Sequence, residues 1–351
     1  RSSAAPLASV SAVAATVAAA GPESGGSPTA SESLQAWKLR AFLTSQQETD
    51  FRIKGQDDRS ARPWKFSVTV HCALQFSALR QAFLGSEEAF LAALSSCEVL
   101  GTSGGKSGAS FFRTRDGRFV VKAVKRNEMQ MFLATASVYF GHVDRALFDG
   151  MPSVLVKVLG AFTVSVEVRG GARMSTPFVV MENLFYKREL RLKYDLKGSG
   201  RNRYIRPQQA KAGMVLLDDN FLEDTGGFPV ALKARAKRLL SIAVHNDTKM
   251  LTDCNVIDYS MLVGVDDERE ELVVGIIDYL RNYDLLKKLE SLGKQVGMLT
   301  GQAEPTIIPP QQYKKRFRMA MDRYFFAAPS KRLALEDKEG GEAGSPAPAV
   351  E

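Results

Sequence analysis

Apolar and polar residues alternate through Trp64–Cys72, the period of two expected of a strand with one buried face. Ala73–Phe83 then spaces Leu74, Phe76, Leu79 and Phe83 as a helix does. Further strands are predicted around Val99–Gly101, at Ala109–Thr114 and at Arg118–Val124, with the loop Thr102–Gly108 between the first two. Arg115-Asp116-Gly117 separates the last pair, and Asp-Gly between two apolar runs signals a hairpin. A helix is expected from Glu128 to about Val143, then strands Val154–Phe162 and Phe178–Met181. The second half mixes a helix from Ala231 to about Val244, strands Leu262–Val265 and Leu272–Ile277, and a helix from Pro310 to about Phe326. An antiparallel β lobe followed by a mixed α/β lobe predicts an α+β fold in two lobes.

Residues 1–34 are rich in Ala, Ser, Gly and Pro and are expected to be disordered, as is the tail 330–351. One globular stretch, 35–329, lies between them with no evident linker or repeat. Of the 351 residues, 45% are hydrophobic and 25% charged, which leaves an ordinary globular class. No apolar run reaches the roughly 18 residues that a membrane-spanning helix needs. The formal net charge of +8 favours an anionic partner, whether nucleic acid, an anionic membrane or a phosphorylated ligand, though it serves solubility equally well. Cys72, Cys97 and Cys254 have neither metal nor redox spacing, which fits a reducing intracellular compartment. The chain opens on Arg1 rather than Met and reads as part of a longer or processed protein. Its acid-free run Ser2–Ala20 suits a linker of small residues better than a transit peptide.

The loop Gly101-Thr102-Ser103-Gly104-Gly105-Lys106-Ser107-Gly108 changes the picture. It looks like a Walker loop, but that motif needs four residues between its first Gly and Gly-Lys-Ser/Thr, and here there are three. A Walker loop also opens a helix, whereas this one runs into a hairpin. Glycines between antiparallel strands are how kinases cover ATP phosphates with backbone N–H groups, although a surface loop would read the same way. On the strand after the turn, Val120, Lys122 and Val124 share a face. A lysine between valines calls for an anion unless it lies on a solvated edge strand. Glu128 is the nearest helix glutamate that could pair with it. The run Phe178–Met181 leads into Glu182-Asn183-Leu184, a connection that could present backbone groups to an adenine. Lys187, Arg188, Arg191, Lys193, Lys197, Arg201, Arg203 and Arg206 follow, with Tyr186, Tyr194 and Tyr204 interleaved. No ribonucleoprotein, KH or zinc motif accompanies them, so an anionic lipid suits them at least as well as RNA. Asp258 and Asp278 each close or interrupt a strongly apolar run, where an unpaired carboxylate is costly. Phosphoryl transfer uses one carboxylate to orient the attacking hydroxyl and another to hold Mg²⁺, and a buried cap or salt bridge explains either aspartate alone.

Tyr194-Asp195-Leu196-Lys197-Gly198-Ser199, Ile257-Asp258-Tyr259-Ser260 with Leu262-Val263-Gly264, and Gly275-Ile276-Ile277-Asp278-Tyr279 resemble the signatures of phosphatidylinositol phosphate kinases, in that family's order. The resemblance covers about Trp64 to Pro329. The loop Gly104–Ala109, the phrase Asp195–Arg203, His245-Asn246-Asp247, Glu271–Arg281, Lys287–Glu290 and Ala320–Phe325 are similar to the type III branch, the phosphatidylinositol 3-phosphate 5-kinases. It implies a two-lobed kinase-like catalytic domain over 35–329, with an N-lobe of about 60–184 and a C-lobe of about 185–329. It implies ATP and Mg²⁺ as cofactors, ATP-phosphate contacts from Gly104, Gly105, Lys106, Ser107, Gly108 and Lys122, and adenine contacts near Asn183 and Leu184. Lys197 then meets the transferring phosphoryl group, Asp258 is the catalytic-loop aspartate with Asp195 beside it in the signature, and Asp278 holds the metal. Tyr279 to about Pro310 corresponds to an activation loop that selects lipid. Arg201, Arg203, Lys287 and Lys288 are the expected headgroup or membrane contacts.

The expected reaction is therefore transfer of the γ-phosphate of ATP to the inositol 5-hydroxyl of phosphatidylinositol 3-phosphate. A 4-phosphate 5-kinase is the alternative within the class, and an inactive phosphoinositide-binding module the alternative outside it. The resemblance further implies peripheral work on an endosomal or vacuolar membrane, with regulatory scaffold proteins as partners. Relatives of this branch usually carry a FYVE finger and a chaperonin-like domain, and neither pattern occurs in these 351 residues.

Overall fold

Two sheets, each backed by helices, carry the fold in the computed structural model, which describes residues 14–16, 30–47, 49–57, 64–100, 110–168, 173–200, 203–209, 213–284 and 308–329. Expectations for the glycine loop 104–108, for Arg201, Lys287 and Lys288, for the tail 330–351 and for most of 1–29 fall outside those residues. In chain order, β1 (Ala14–Thr16) and α1 (Ala30–Leu43) come before the first sheet. That sheet holds β2 (Phe51–Asp57), β3 (Trp64–His71), β4 (Cys97–Leu100), β5 (Phe111–Thr114), β6 (Phe119–Ala123), β7 (Val158–Val168) and β8 (Arg173–Glu182). Its order is β2-β3-β7-β8-β6-β5-β4, and every neighbouring pair is antiparallel. Gly117, at φ 78° after Asp116, closes the β5–β6 hairpin that the Asp-Gly signal predicted.

Helices α2 (Ala73–Leu84), α3 (Glu87–Leu94), α4 (Arg126–Ala134) and α5 (Ala136–Phe148) belong to this lobe. Ser86 caps α3 by accepting the Ala89 N–H at 3.1 Å. The single helix expected from Glu128 to Val143 is in fact two. At Thr135, φ is −113° and the hydroxyl donates to the carbonyls of Met131 and Phe132, so α4 ends there and α5 restarts one residue later. Phe76, Phe132, Tyr139 and Phe140 interlock edge to face beneath the sheet.

The second sheet is β1-β13-β12-β9-β10, built with β9 (Leu192–Leu196), β10 (Val215–Leu217), β12 (Ser260–Asp266) and β13 (Glu271–Ile277). Strand β12 runs antiparallel to both β9 and β13, with Met261 opposite Leu196 and Ser260 opposite Ile277. The carboxyl ends of β9 and β13 therefore meet the amino end of β12. Around it lie α6 (Asp218–Asp224), α7 (Ala234–Asp253) and α8 (Pro310–Tyr324). Two expected boundaries shift for a tertiary reason. Val230–Leu232 and Phe325–Ala327 pair as parallel strands β11 and β14, so α7 starts only at Ala234 and α8 stops at Tyr324. The α+β expectation holds, with an antiparallel first sheet and a mixed second one.

The lobes meet through backbone. Val156 N–H donates to Ile276 O at 3.0 Å, and Ile276 N–H to Val154 O at 2.7 Å. Asp247 of α7 reinforces this approach. It is fully buried and accepts from His142 Nε2, the Ser153 hydroxyl and the Val154 N–H, each at 2.7 Å. Replacing it strands three donors in the interior, each of which costs about 1–3 kcal/mol when unsatisfied. Asp247→Ala should therefore destabilise the domain by about 3 kcal/mol or more in urea unfolding, and a loss under 1 kcal/mol would show that the cluster is not holding the lobes.

Candidate active site

The antiparallel register of β9, β12 and β13 places Lys197, Asp258 and Asp278 within two residues of one end of one sheet. Lys197 follows Leu196, Asp258 lies two residues before Ser260, and Asp278 follows Ile277. Lys122 reaches the same place from the other sheet. It lies on β6 between β5 and β8, opposite Phe111 and Val179, and is 7% exposed. It is thus an interior-strand lysine, and the edge-strand reading falls. Its ammonium donates to Asp278 Oδ1 at 2.5 Å and sits 5.4 Å from the centre of the Phe111 ring.

Both aspartates are held in left-handed backbone, with φ 66° at Asp258 and 63° at Asp278. A non-glycine residue adopts that conformation at a cost that the surroundings must offset, and such residues gather at functional sites. Here the surroundings are cations. Lys197 donates to the Asp258 carboxylate and, at 2.8 Å, to the Asp258 carbonyl. Arg281 donates to the other Asp258 oxygen at 2.5 Å. Arg281 also lies 3.5 Å from Glu128 on α4. Glu128 therefore partners Arg281, while the strand lysine takes Asp278. Burial raises the Asp278 carboxyl, but Lys122, then Lys197 and Arg281, outweigh it and hold it below its ordinary value of 3.8.

Under Lys197 lies a carboxylate that sequence reasoning did not single out. Asp218, 1% exposed at the start of α6, accepts the N–H groups of Lys197 and Gly198, Arg203 Nε and the Tyr324 hydroxyl. Arg203 bonds onward to the carboxylate and carbonyl of Asp195, and the Ser260 hydroxyl donates to Asp195 at 3.1 Å. Asp195 and Arg203 thus belong to the frame that aims Lys197. Gly198, at φ 67°, lies so close to α8 that a side chain there would strike Ala320 and the Arg316 carbonyl. The signal for Asp218 was present, because it closes Val215-Leu216-Leu217 as Asp278 closes its own apolar run.

The connection between lobes is also fixed. Asn183 donates to the Gly117 carbonyl of the hairpin turn at 2.7 Å and accepts the Phe185 N–H at 3.1 Å. Leu184 lies over Gly275, where an added Cβ would come within 3.0 Å of it and 2.7 Å of Val156. Gly104, Gly105, Lys106, Ser107, Gly108, Arg201, Lys287 and Lys288 lie outside the described residues. Among the described residues no cluster of three His, Cys, Asp or Glu side chains suits a metal. No helix among them is long and apolar enough to cross a membrane.

The family model for phosphatidylinositol-4-phosphate 5-kinase matches residues 94–273 and 266–324. The chain belongs to this family. In that kinase family it is 43% identical over 281 residues to a 1-phosphatidylinositol-3-phosphate 5-kinase of Arabidopsis thaliana, covering 79% of this chain and 16% of that protein. It is 36% identical over 297 residues to the corresponding enzyme of Saccharomyces cerevisiae, covering 83% of this chain and 13% of that protein. With the human 1-phosphatidylinositol 3-phosphate 5-kinase the identity is 40% over 270 residues, 76% and 13% of the two chains. The chain therefore spans about one-sixth or less of the length of these relatives. Membership of a lipid kinase family implies ATP as the phosphoryl donor.

Because the folded-state carboxyl of Asp278 lies below 3.8, its ionised form adds stability. That contribution is complete above about pH 4 and is lost as pH falls through the lowered value. A carbon-13 carboxyl titration should give a midpoint under 3.8 for Asp278 and a higher one in Lys122→Met. An unshifted wild-type midpoint would remove the charge-pair account. Asp218→Asn keeps the size of the side chain but takes a charge from Arg203 and an acceptor from the Lys197–Gly198 backbone. It should cost about 3 kcal/mol in urea unfolding and slow turnover at least tenfold, and wild-type values in both would refute the framing role.

Proposed function

We propose that this domain transfers the γ-phosphoryl group of ATP to the 5-hydroxyl of phosphatidylinositol 3-phosphate. The reading is carried by the two ion pairs Lys122–Asp278 and Lys197–Asp258, drawn from two sheets to one place. Phosphoryl transfer asks the protein for positioning and for cations around a loose, highly charged transition state, which is what such a cluster offers. Lys122, on a rigid interior strand, is placed to meet ATP phosphates, with Asn183 and Leu184 on the adenine side. Residues 104–108 would cover the phosphates with backbone N–H groups. Lys197 neutralises charge on the migrating phosphoryl group. Asp258 orients the attacking hydroxyl, and orientation matters more than proton removal in a loose transition state.

Mg²⁺ fits Asp278. Its carboxylate is ionised, 37% exposed, and supplies the hard oxygen that this ion prefers, with the remaining ligands coming from phosphates and water. Bound there, Mg²⁺ would screen the β- and γ-phosphate charge. The protein's own residues then do the aiming: Asp218, Arg203 and Asp195 hold the Lys197 loop, and Arg281 with Glu128 holds Asp258.

The 3-phosphate substrate rests on relatives whose names state it, at 36% to 45% identity. The 4-phosphate alternative is kept because the family model carries that substrate in its description. An inactive lipid-binding module sits poorly with a complete set of Lys122, Lys197, Asp258 and Asp278. Arg201, Lys287 and Lys288 are proposed contacts to an anionic membrane, and an endosomal or vacuolar surface with scaffold partners is the proposed setting.

Labelled ATP incubated with vesicles carrying single phosphoinositide isomers should yield phosphatidylinositol 3,5-bisphosphate from the 3-phosphate, identified by headgroup chromatography. Asp258→Asn and Asp278→Ala should each lower turnover by about 10²-fold or more. Product from the 4-phosphate alone would replace the substrate, and undiminished turnover in either variant would remove that residue's role.

A further inference from the structure

Helix α7 leaves one stripe of its surface open. Arg235, Arg238, Ile242, His245 and Lys249 follow one another at intervals of three, four, three and four residues, so they share a face, and all five are exposed. Ile242, at the middle, is 41% exposed. Arg235 and Arg238 form no ion pair or hydrogen bond among the described residues. Lys249 meets Asp253 in an exposed pair one turn on, a contact worth little. The neighbouring helix α8 adds to the positive field. Its Arg318 bonds Thr248 and the His245 carbonyl. Arg318, then burial, Lys314 and Lys249, hold the His245 imidazole below its ordinary value of 6.5. Besides the buried Asp247, the two helices carry only Asp253 and Asp322 as acids, and each already pairs with a lysine.

The chain itself leads to this stripe. Strand β14 lies parallel beside β11, and the Ala328 N–H donates to the Leu232 carbonyl at 2.8 Å, two residues before α7 begins. The backbone therefore leaves β14 at the amino end of α7, where the stripe starts. The sequence continues, outside the described residues, as Lys331-Arg332-Leu333-Ala334-Leu335-Glu336-Asp337-Lys338-Glu339-Gly340-Gly341-Glu342. From Glu336 to Glu342 it sets four acids against the single Lys338. Lys331 and Arg332 precede them, so the segment that suits the stripe begins at Leu333. Glu336 comes eight residues after Ala328, a span of up to about 26 Å. The stripe from Arg235 to Lys249 is about 21 Å long. Leu333 and Leu335 are within reach of Ile242. A tether this short holds the acids near the stripe at an effective concentration on the order of millimolar, ahead of any acidic partner from solution.

We propose that the segment from Leu333 to Glu342 folds back along α7, with Glu336, Asp337, Glu339 and Glu342 against the cations of the stripe and its leucines over Ile242. An acidic segment led by two leucines matches a cationic stripe with one exposed isoleucine in both charge and pattern. The docked segment covers arginines and a lysine that would otherwise draw anionic lipid, so it sets how strongly this helix attracts an anionic surface. The docking stands independently of the reaction proposed above, because none of its residues belongs to the cluster around Asp258 and Asp278.

Zero-length carbodiimide cross-linking of the full chain, as an equal mixture of unlabelled and nitrogen-15 protein, reads the docking directly. Trypsin releases the tail from Glu339 onward. Its carboxylates should be joined to Lys249 and Lys314 about fivefold more often than to Lys54 and Lys65, which are exposed on the first sheet. Arg235→Gln/Arg238→Gln leaves those lysines in place and should cut the links about threefold or more, as should salt at about 1 M, where charges are screened beyond about 3 Å. Links spread evenly over the lysines, or unchanged in the variant, would overturn the docking. Links between labelled and unlabelled chains would place the tail on a second copy and overturn the fold-back. Sedimentation with phosphatidylserine vesicles gives the second reading, with melting temperature as the check on folding. Glu336→Gln/Asp337→Asn/Glu339→Gln/Glu342→Gln should raise vesicle binding about threefold or more, and adding Arg235→Gln/Arg238→Gln should abolish the rise. A rise that survives the arginine substitutions is bulk charge alone, and no rise shows an uncovered stripe; either result refutes the proposal.

Discussion

A lysine on an interior strand and an aspartate at the end of another share one physical difficulty: neither charge tolerates a poorly solvated place without the other. The Lys122–Asp278 pair resolves it, and much of the architecture can be understood as what brings those two groups together from opposite sheets. The first sheet must be wide enough to make β6 an internal strand. The second must end at Ile277, so that the next carboxylate emerges at the interface. The backbone bonds between Val154–Val156 and Ile276 then join the lobes within a few residues of the pair. The same pairing stabilises the left-handed turn at Asp278, which would otherwise carry its strain unaided.

Lys197–Asp258 repeats the arrangement with a different support. Lys122 draws its rigidity from strands on both sides, whereas Lys197 leaves its strand and enters a loop. A loop lysine needs its backbone fixed, and Asp218 does this by accepting two consecutive N–H groups while also binding Arg203 and Tyr324. The frame is one buried carboxylate deep, and Gly198 lets α8 close over it. Arg281 balances the second oxygen of Asp258, and its contact with Glu128 links α4 of the first lobe to a carboxylate of the second. Movement of α4 would therefore be felt at Asp258 through charge as well as through packing.

What the sequence made legible follows from how local each signal is. The β5–β6 hairpin, α2, β12 and β13 were readable because periodicity and the Asp-Gly turn are carried by neighbouring residues. The break at Thr135 was less so, since one hydroxyl turning back on its own helix leaves the apolar period almost unchanged. The strands β11 and β14 escaped because each exists only by pairing with the other, across almost a hundred residues. At the site, Lys122, Lys197, Asp258 and Asp278 could be named from their apolar settings and the family signature. Their pairings could not: Glu128 was the nearest acid in sequence to Lys122, yet it partners Arg281. Asp195 and Arg203 show the same limit, because a signature alone does not separate a charged residue that acts on the substrate from one that holds its neighbours, and here both are bonded within the frame around Asp218.

Helix α8 gathers these threads at the far end of the chain. Its buried face reaches Tyr259 directly, with the Tyr313 hydroxyl on the Tyr259 carbonyl and both Tyr313 and Phe317 packed edge to face on that ring. Tyr259 follows Asp258, so this helix also sets the residue beside the carboxylate that Lys197 and Arg281 hold. Tyr324, at its other end, bonds Asp218 and so reaches the Lys197 loop. One helix is thus tied to both halves of the second ion pair. Such a helix is a poor candidate for an accessory of the fold. Displacing it would remove at once the Tyr313 bond to the Tyr259 carbonyl, next to Asp258, and the Tyr324 bond to Asp218, which holds the backbone of Lys197.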